Sequence, residues 1–270
     1  MVSLAAGDRL SIEISEVGAY LKSVKFDGRD VMKISTDGVE THGGCAHLIP
    51  FANRVRNGKF SFLGKEYFLR DDSPPNAIHG LIRRLNFDVR ARGNTAECTT
   101  TLKGDGFPWV YAIGIRYTIT QEGISIDYEV TNMSQAHGPL MIGAHPYFLF
   151  NGKWEAASRG FHELVCTDGY FPTGRMLDPV NLLKPREGGY DTPYLVEGAL
   201  SLDLGDIRLE LGNRGMPYFM FYDGKYSGGK SIAVEPMTGA PDCFNNGIGL
   251  VQLAPGRGFT CGFSMGFSWK

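Results

Sequence analysis

Short apolar runs alternating with polar residues at a period of two, cut apart by turn residues, recur along this chain and restrict it to sheet-built folds. The clearest lies between Ile113 and Val130. There Ile115, Tyr117 and Ile119 alternate with polar neighbours, Gln121-Glu122-Gly123 supplies a turn, and Ile124, Ile126, Tyr128 and Val130 alternate back, which predicts a β-hairpin. A second hairpin is predicted between Lys59 and Leu69, with arms KFSF and EYFL around a three-residue loop, Leu63-Gly64-Lys65. Further strands are predicted over Leu10–Ile14, Leu21–Phe26, 207–211, 231–234 and 262–267. Long helical periodicity is hard to find. Many short strands with evenly spaced turns predict an all-β fold, a large antiparallel β-sandwich with few short helices. The 36 glycines and 14 prolines are spread evenly and never gather into a linker, so residues 1–270 are expected to form a single domain. Residues 177–200, rich in Pro and Gly, read as an extended loop, a kind of segment that often carries function.

Composition narrows the partners. With 43% hydrophobic and 21% charged residues the chain can bury a large core and need not be disordered. A formal net charge of −2 gives no electrostatic reason to expect nucleic acid or an anionic membrane, so a small, weakly charged partner is expected. The start, MVSLAAGDRLSIEIS, lacks a basic region followed by a long apolar run, and no stretch of 18 apolar residues occurs. Five scattered cysteines without a CxxC pair argue against a disulfide framework and for a cytoplasmic protein.

Four segments set an ionisable residue among apolar, Pro or Gly neighbours, surroundings that shift pKa values and hold side chains rigidly: IPFANRVR from Ile49, NAIHGL from Asn76, GAHPYF from Gly143 and VEPMTGAPD from Val234. Singly, each has an ordinary explanation. His145 suits a core or turn histidine as well as a general acid or base, Glu235 suits a solvated strand end, and His79 suits a surface loop. His42, Cys45 and His47 stand close together, but HxxCxH matches no common structural zinc pattern and no second ligand pair answers it. Neither a GxxxxGK[ST] phosphate loop nor a GxSxG nucleophile elbow is present, and no GxGxxG follows a strand.

Taken in order, PFANRVRNGKFSFLGKEYFL from Pro50, NAIHGL, GAHPYF, GYDTPY from Gly189, VEPMT and the closing LAPGRGFTCGFSMGF resemble the aldose 1-epimerase, or galactose mutarotase-like, family over most of the chain. That resemblance implies a β-supersandwich with a sugar in an open cleft, and interconversion of the α and β anomers of a free aldose without metal or cofactor. It casts Glu235 as general base at the anomeric hydroxyl and His145 as general acid at the ring oxygen, the two exchanging duties on reclosure. His79 would hydrogen-bond the ring oxygen or a neighbouring hydroxyl, and Arg54, Asn53 and Asp191 would orient the sugar hydroxyls. Tyr147, Phe148 and Trp154 are candidates to stack on the apolar face of a pyranose, or plain core residues.

One departure from the family pattern bears on substrate. After His79-Gly80 the chain reads Leu81-Ile82-Arg83, where galactose-type mutarotases usually carry a second glycine. The HGxxR form is more like hexose-6-phosphate epimerases, and Arg56, Arg83 and Arg84 offer charge-assisted donors to a phosphate or are solvated surface charge. A hexose-6-phosphate 1-epimerase and a non-catalytic carbohydrate-binding protein therefore stand as alternatives. The partner expected in each case is a small sugar, and a homodimer is compatible with the sequence.

Overall fold

The computed structural model describes residues 1–69, 75–104, 106–168 and 170–270. Strands dominate, and helix among the described residues is limited to one α-helical turn, Cys243–Asn246, and three short 3-10 turns. The first predicted hairpin forms as Phe107–Ile119 against Gly123–Asn132, with Ile119 opposite Ile124 and Ile115 opposite Tyr128. Its alternating apolar set is buried throughout, so the pattern did mark one core face.

The second hairpin forms with a tighter turn than expected. Lys59–Phe62 pairs with Lys65–Phe68, Phe62 opposite Lys65, so Lys65 belongs to the ladder and the loop is Leu63-Gly64 alone. Both loop residues have positive φ, +49° and +78°, because only a turn of that hand matches the right-handed twist of the flanking strands. The predicted loop over 177–200 is also revised, since Val180–Leu183 and Asp191–Glu197 are strands. Both pair with Glu155–Thr167, and that ladder overrides the local Gly and Pro signals.

The antiparallel pairings run in one continuous series. The first layer passes from Asp88–Arg92 through Thr95–Gly104, the long hairpin and Gly258–Trp269 to Ile207–Arg214 and Leu200–Asp203. The second passes from Asp191–Glu197 through Tyr218–Tyr222, Ser231–Met237, Gly143–Leu149 and Cys45–Leu48 to Leu21–Phe26. Glu155–Thr167 joins them along one of its edges, pairing with Leu200–Asp203 through Glu155–Ala157 and with Asp191–Glu197 through Gly160–Glu163. The result is the expected all-β antiparallel sandwich, with the apolar core between the layers.

One polar network crosses that core. His47, on the second layer, is buried between Tyr117 and Tyr128 of the first, with its Nδ1 2.7 Å from the Tyr128 hydroxyl and its Nε2 on the Tyr117 hydroxyl. Tyr117 donates its own proton to the Ala19 carbonyl at 2.6 Å, so it accepts from His47 Nε2–H, and Tyr128 then donates to Nδ1. Burial pushes the His47 pKa down to about 3, so the ring is neutral and this tautomer satisfies every group.

Replacing His47 with Leu is expected to cost about 1–3 kcal/mol, because Tyr128 loses its hydroxyl partner; the urea midpoint should fall and partly recover on adding Tyr128→Phe. Leu63→Asn should raise that midpoint by about 1 kcal/mol of stability, since Leu pays for its left-handed backbone while 65% exposed and Asn does not. An unchanged midpoint in either variant would contradict the corresponding account.

Candidate active site

The site grows out of strand register. In antiparallel sheets directly opposite residues share a face, and Gly143 opposite Met237 with Tyr147 opposite Ala233 places His145 directly opposite Glu235. The neighbouring strands continue two rows across the same face: Asp191, Tyr222, Ala233 and Tyr147 in one, and Met220, Glu235, His145 and Ala46 in the other. Alternation sends Ala144 and Phe148 to the core side. Ala233, the smallest member of its row, separates the rings of Tyr147 and Tyr222, whose centroids lie 6.4 Å apart edge to face.

Two loops bring the remaining residues. Asn53 and His79 both hold positive φ, +52° and +61°, and the His79 N–H donates to the Asn53 carbonyl at 2.8 Å. Beyond them Arg54–Val55 pairs with Ala77–Ile78, which locks the loops together. Gly80 is required here: its φ is +69°, and a Cβ would lie 2.6 Å from the backbone N and O of Ile49. Gly143 likewise lets the Ile49–Arg54 loop lie on the sheet, since a Cβ there would sit 2.5 Å from that of Ala52.

The outcome is a cleft of about 480 Å³ lined by Asn53, Arg54, His79, His145, Asp191 and Glu235, so all six residues singled out from the sequence converge. Such a volume suits a small organic ligand. His145 Nε2 and Glu235 Oε1 are 3.3 Å apart, with the two side chains 5% and 2% exposed. The His79 ring stands edge-on to His145 at 5.1 Å, and Tyr147 stacks on His145 at 4.9 Å. Asn53 Oδ1 accepts from the Arg54 backbone N–H at 2.9 Å and from its guanidinium at 3.2 Å, while Arg54 also lies 3.9 Å from Asp191 and over the ring of Tyr170.

Burial dominates the electrostatics. It raises the Glu235 pKa well above the carboxylate range, with the Asp191 charge adding to the rise and Arg54 opposing it. It lowers His145 to about 3 and drives His79 well below its ordinary value, the latter helped by His145, Arg83 and Arg54. Asp191 is raised by burial and held back by Arg54. Three buried atoms, His79 Nδ1, His145 Nδ1 and Glu235 Oε2, have no hydrogen-bond partner among the described residues. Unsatisfied buried groups are costly and few, and three in one cleft mark a place built to meet a polar ligand.

The structure also sorts the residues whose reading the sequence left open. Phe148 faces the core, and Trp154 packs among Tyr190 and Phe221, so neither reaches the cleft. Tyr147 does line it, joined by Tyr222, Tyr226 and His42, which no motif groups together. His42 stacks on Tyr226 at 3.6 Å between centroids and holds Asp37 through Nδ1 at 2.7 Å. Arg83 and Arg84 both line the cleft, but Arg56 lies over Phe171 and beside Asp168. Arg83 donates through Nε to the His79 carbonyl at 2.9 Å, which braces that strained residue. His42, Cys45 and His47 do not gather into a ligand set; the grouping of metal-capable atoms among the described residues is His79, His145 and Glu235, within 4.8 Å of one another. The guanidinium charges of Arg54 and Arg83 acting on His79 disfavour a cation there.

A family model described as aldose 1-epimerase matches residues 1–265. The chain belongs to the aldose 1-epimerase family. It is similar to the Escherichia coli (strain K12) protein YihR, itself uncharacterized, at 26% identity over 286 residues covering 95% of this chain and 89% of that one. It is similar to the galactose mutarotase of Rattus norvegicus at 26% identity over 144 residues, spanning 51% of this chain and 41% of that protein. Among solved structures, a galactose mutarotase-like protein from Lactobacillus casei ATCC 334 superposes with a TM-score of 0.86 at 19% identity, covering 99% of this chain and 100% of that one. An aldose epimerase homologue from C. elegans gives 0.85 at 19% identity, covering 99% and 98%. At such identity these two likenesses speak for the aldose 1-epimerase fold. No helix among the described residues is long and apolar enough to cross a membrane.

The Glu235 shift has a consequence for stability. A carboxyl whose folded pKa is raised contributes stability that is present below its unfolded pKa and lost as pH rises toward the folded one. Glu235→Gln removes that loss, so the stability of the variant relative to the native aldose 1-epimerase-family chain should increase from pH 5 to pH 8 in urea unfolding. A constant difference across that window would mean that Glu235 is ionised in the folded protein.

Proposed function

We propose that this chain interconverts the α and β anomers of a free aldose by opening and reclosing the sugar ring. The observation that carries the reading is the directly opposed His145 and Glu235, 3.3 Å apart and buried at the floor of a cleft of sugar size. Burial shifts both groups toward neutrality, so the pair holds one proton between them. The arrangement with the proton on His145 and the charge on Glu235 contains the same number of protons, and Arg54 favours it by stabilising the carboxylate.

From that arrangement, Glu235 takes the proton of the anomeric hydroxyl while His145 gives one to the ring oxygen. The C1–O5 bond breaks, the open aldehyde turns about its C1–C2 bond, and ring closure on the other face returns both protons. Nothing is consumed, and no oxidant, metal or cofactor enters the balance. His79, Arg54, Asn53 and Asp191 are assigned to the sugar hydroxyls, with Asn53 acting largely through its hold on Arg54.

A second reading is favoured by one observation. Arg83 and Arg84 line the same cleft, which suits a sugar bearing an anionic group such as a hexose 6-phosphate. Polarimetry separates the two. Native protein should speed the decay of optical rotation of freshly dissolved α-glucose or α-galactose, and Glu235→Gln and His145→Asn should each lose about 10²-fold or more of that rate. Acceleration restricted to glucose 6-phosphate would transfer the reading to the phosphorylated sugar. Binding by calorimetry with acceleration of neither would overturn both and leave a carbohydrate-binding protein.

A further inference from the structure

Exposed large apolar side chains gather at one place along the chain. Of the thirteen exposed large hydrophobic residues among those described, four fall within seven positions: Met176, Leu177, Val180 and Leu182, each 48–50% exposed. Met176 ends the strand Phe171–Met176, Leu177 follows it, and Val180 and Leu182 lie on Val180–Leu183; the two strands follow one another along the edge of Glu155–Thr167 that is not occupied by the two layers. Ala156 shows the arrangement, with Leu202 opposite on one side and Leu183 opposite on the other. Among the described residues the ladder of each of these outer strands is with Glu155–Thr167 alone. Asn181 fixes Val180–Leu183 against its neighbour by donating its side-chain amide to the Arg159 carbonyl at 2.5 Å, where the ladder is irregular.

A free, apolar strand edge is a template for pairing with another chain, and proteins ordinarily guard such edges with charge. The outer strand Asp88–Arg92 is guarded in that way by Asp88, Arg90 and Arg92. Val180–Leu183 carries no charge at all. We propose that this edge pairs with the same edge of a second copy of the chain, antiparallel and centred on Asn181, to form a two-fold symmetric dimer.

Self-complementarity selects both the occupant and the register. With Asn181 on the axis, each residue faces the partner position whose number makes the sum 362, so Val180 meets Leu182 and Asp178 meets Lys184. Val180 and Leu182 project on the solvent face, opposite the buried Leu183, and would form an apolar cross-strand ladder. Asp178 and Lys184 are both exposed and close the ladder with an opposite-charge pair at each end. A centre one residue away on either side breaks that charge match: on Val180, Asp178 faces Leu182, and on Leu182, Lys184 faces Val180. Pro179 has no N–H to offer and confines the ladder to its centre. The pairing leaves the candidate active site untouched and stands whatever the cleft binds.

An interface built on so short a ladder sits at the small end of stable contacts, so association is expected at micromolar concentration. Sedimentation velocity of the full chain between roughly 1 and 200 µM should show monomer giving way to dimer. Val180→Lys and Asp178→Lys should both remain monomeric over that range, with thermal midpoints unchanged, and the exchange Asp178→Lys with Lys184→Asp should restore the dimer. A native chain that stays monomeric throughout overturns the proposal, as does a dimer that survives both single substitutions. Loss of the dimer in Val180→Lys but not in Asp178→Lys would overturn the register centred on Asn181.

Discussion

The cleft depends on the register between two antiparallel strands. His145 and Glu235 face each other only because Tyr147 stands opposite Ala233, and both strands are buried along almost their whole length. A slip of one residue would turn either His145 or Glu235 into the core and bring Ala144 or Val234 to the cleft floor. The register is held from both flanks, by Cys45–Leu48 against Gly143–Leu149 and by Tyr218–Tyr222 against Ser231–Met237. Apolar burial on the far face of the same strands thus fixes the distance at which two ionisable groups meet. Packing energy, spent on Phe148, Val234 and their neighbours, becomes positional accuracy in the cleft.

Two kinds of buried histidine occur within this one sandwich. His47 uses both ring nitrogens, one on each tyrosine hydroxyl, and is neutral at the centre of a closed network. His145 is buried almost as deeply and His79 is half-buried, but each keeps a nitrogen without a partner among the described residues, and Glu235 keeps an oxygen. The same desolvation lowers all three histidines. What separates a structural histidine from one available for chemistry is therefore not burial or pKa but whether the protein itself completes the hydrogen bonding. His47 ties the layers together; the other two leave that capacity for something that enters from outside.

Much of this was legible in the sequence, and the gaps have physical reasons. Period-two alternation located the long hairpin because one face of it is core and the other is not, and Leu10–Ile14 and Leu21–Phe26 match the observed strands at both ends. Alternation failed at residues 177–200, where one strand lies on an open edge and the other contains Pro193, so neither shows a clean two-sided pattern. Local signals could put His145 and Tyr147 on one face of their strand, and Glu235 on one face of its own. They could not show that the two strands are neighbours, since that pairing spans about ninety residues and is decided by the whole sheet. Resemblance to a known family supplied the grouping instead. His42, Tyr222 and Tyr226 lay beyond both routes: Tyr222 reaches the cleft through a strand pairing opposite Asp191, far off in sequence, and His42 meets Tyr226 in a contact between two short 3-10 turns.

The same burial that shifts Glu235 and His145 would also make them useful together. A carboxyl and an imidazole in water at neutral pH are mostly ionised and mostly neutral respectively, and each exchanges protons with solvent rather than with its neighbour. In the cleft, desolvation penalises any single charge, so the states of the pair that differ only in where one proton sits are brought close in energy. Arg54, steadied by Asn53 and facing Asp191, tilts that balance toward the carboxylate without being in the core itself. Changing Arg54 would therefore alter the charge distribution of a pair it does not touch, through the field it places on Glu235.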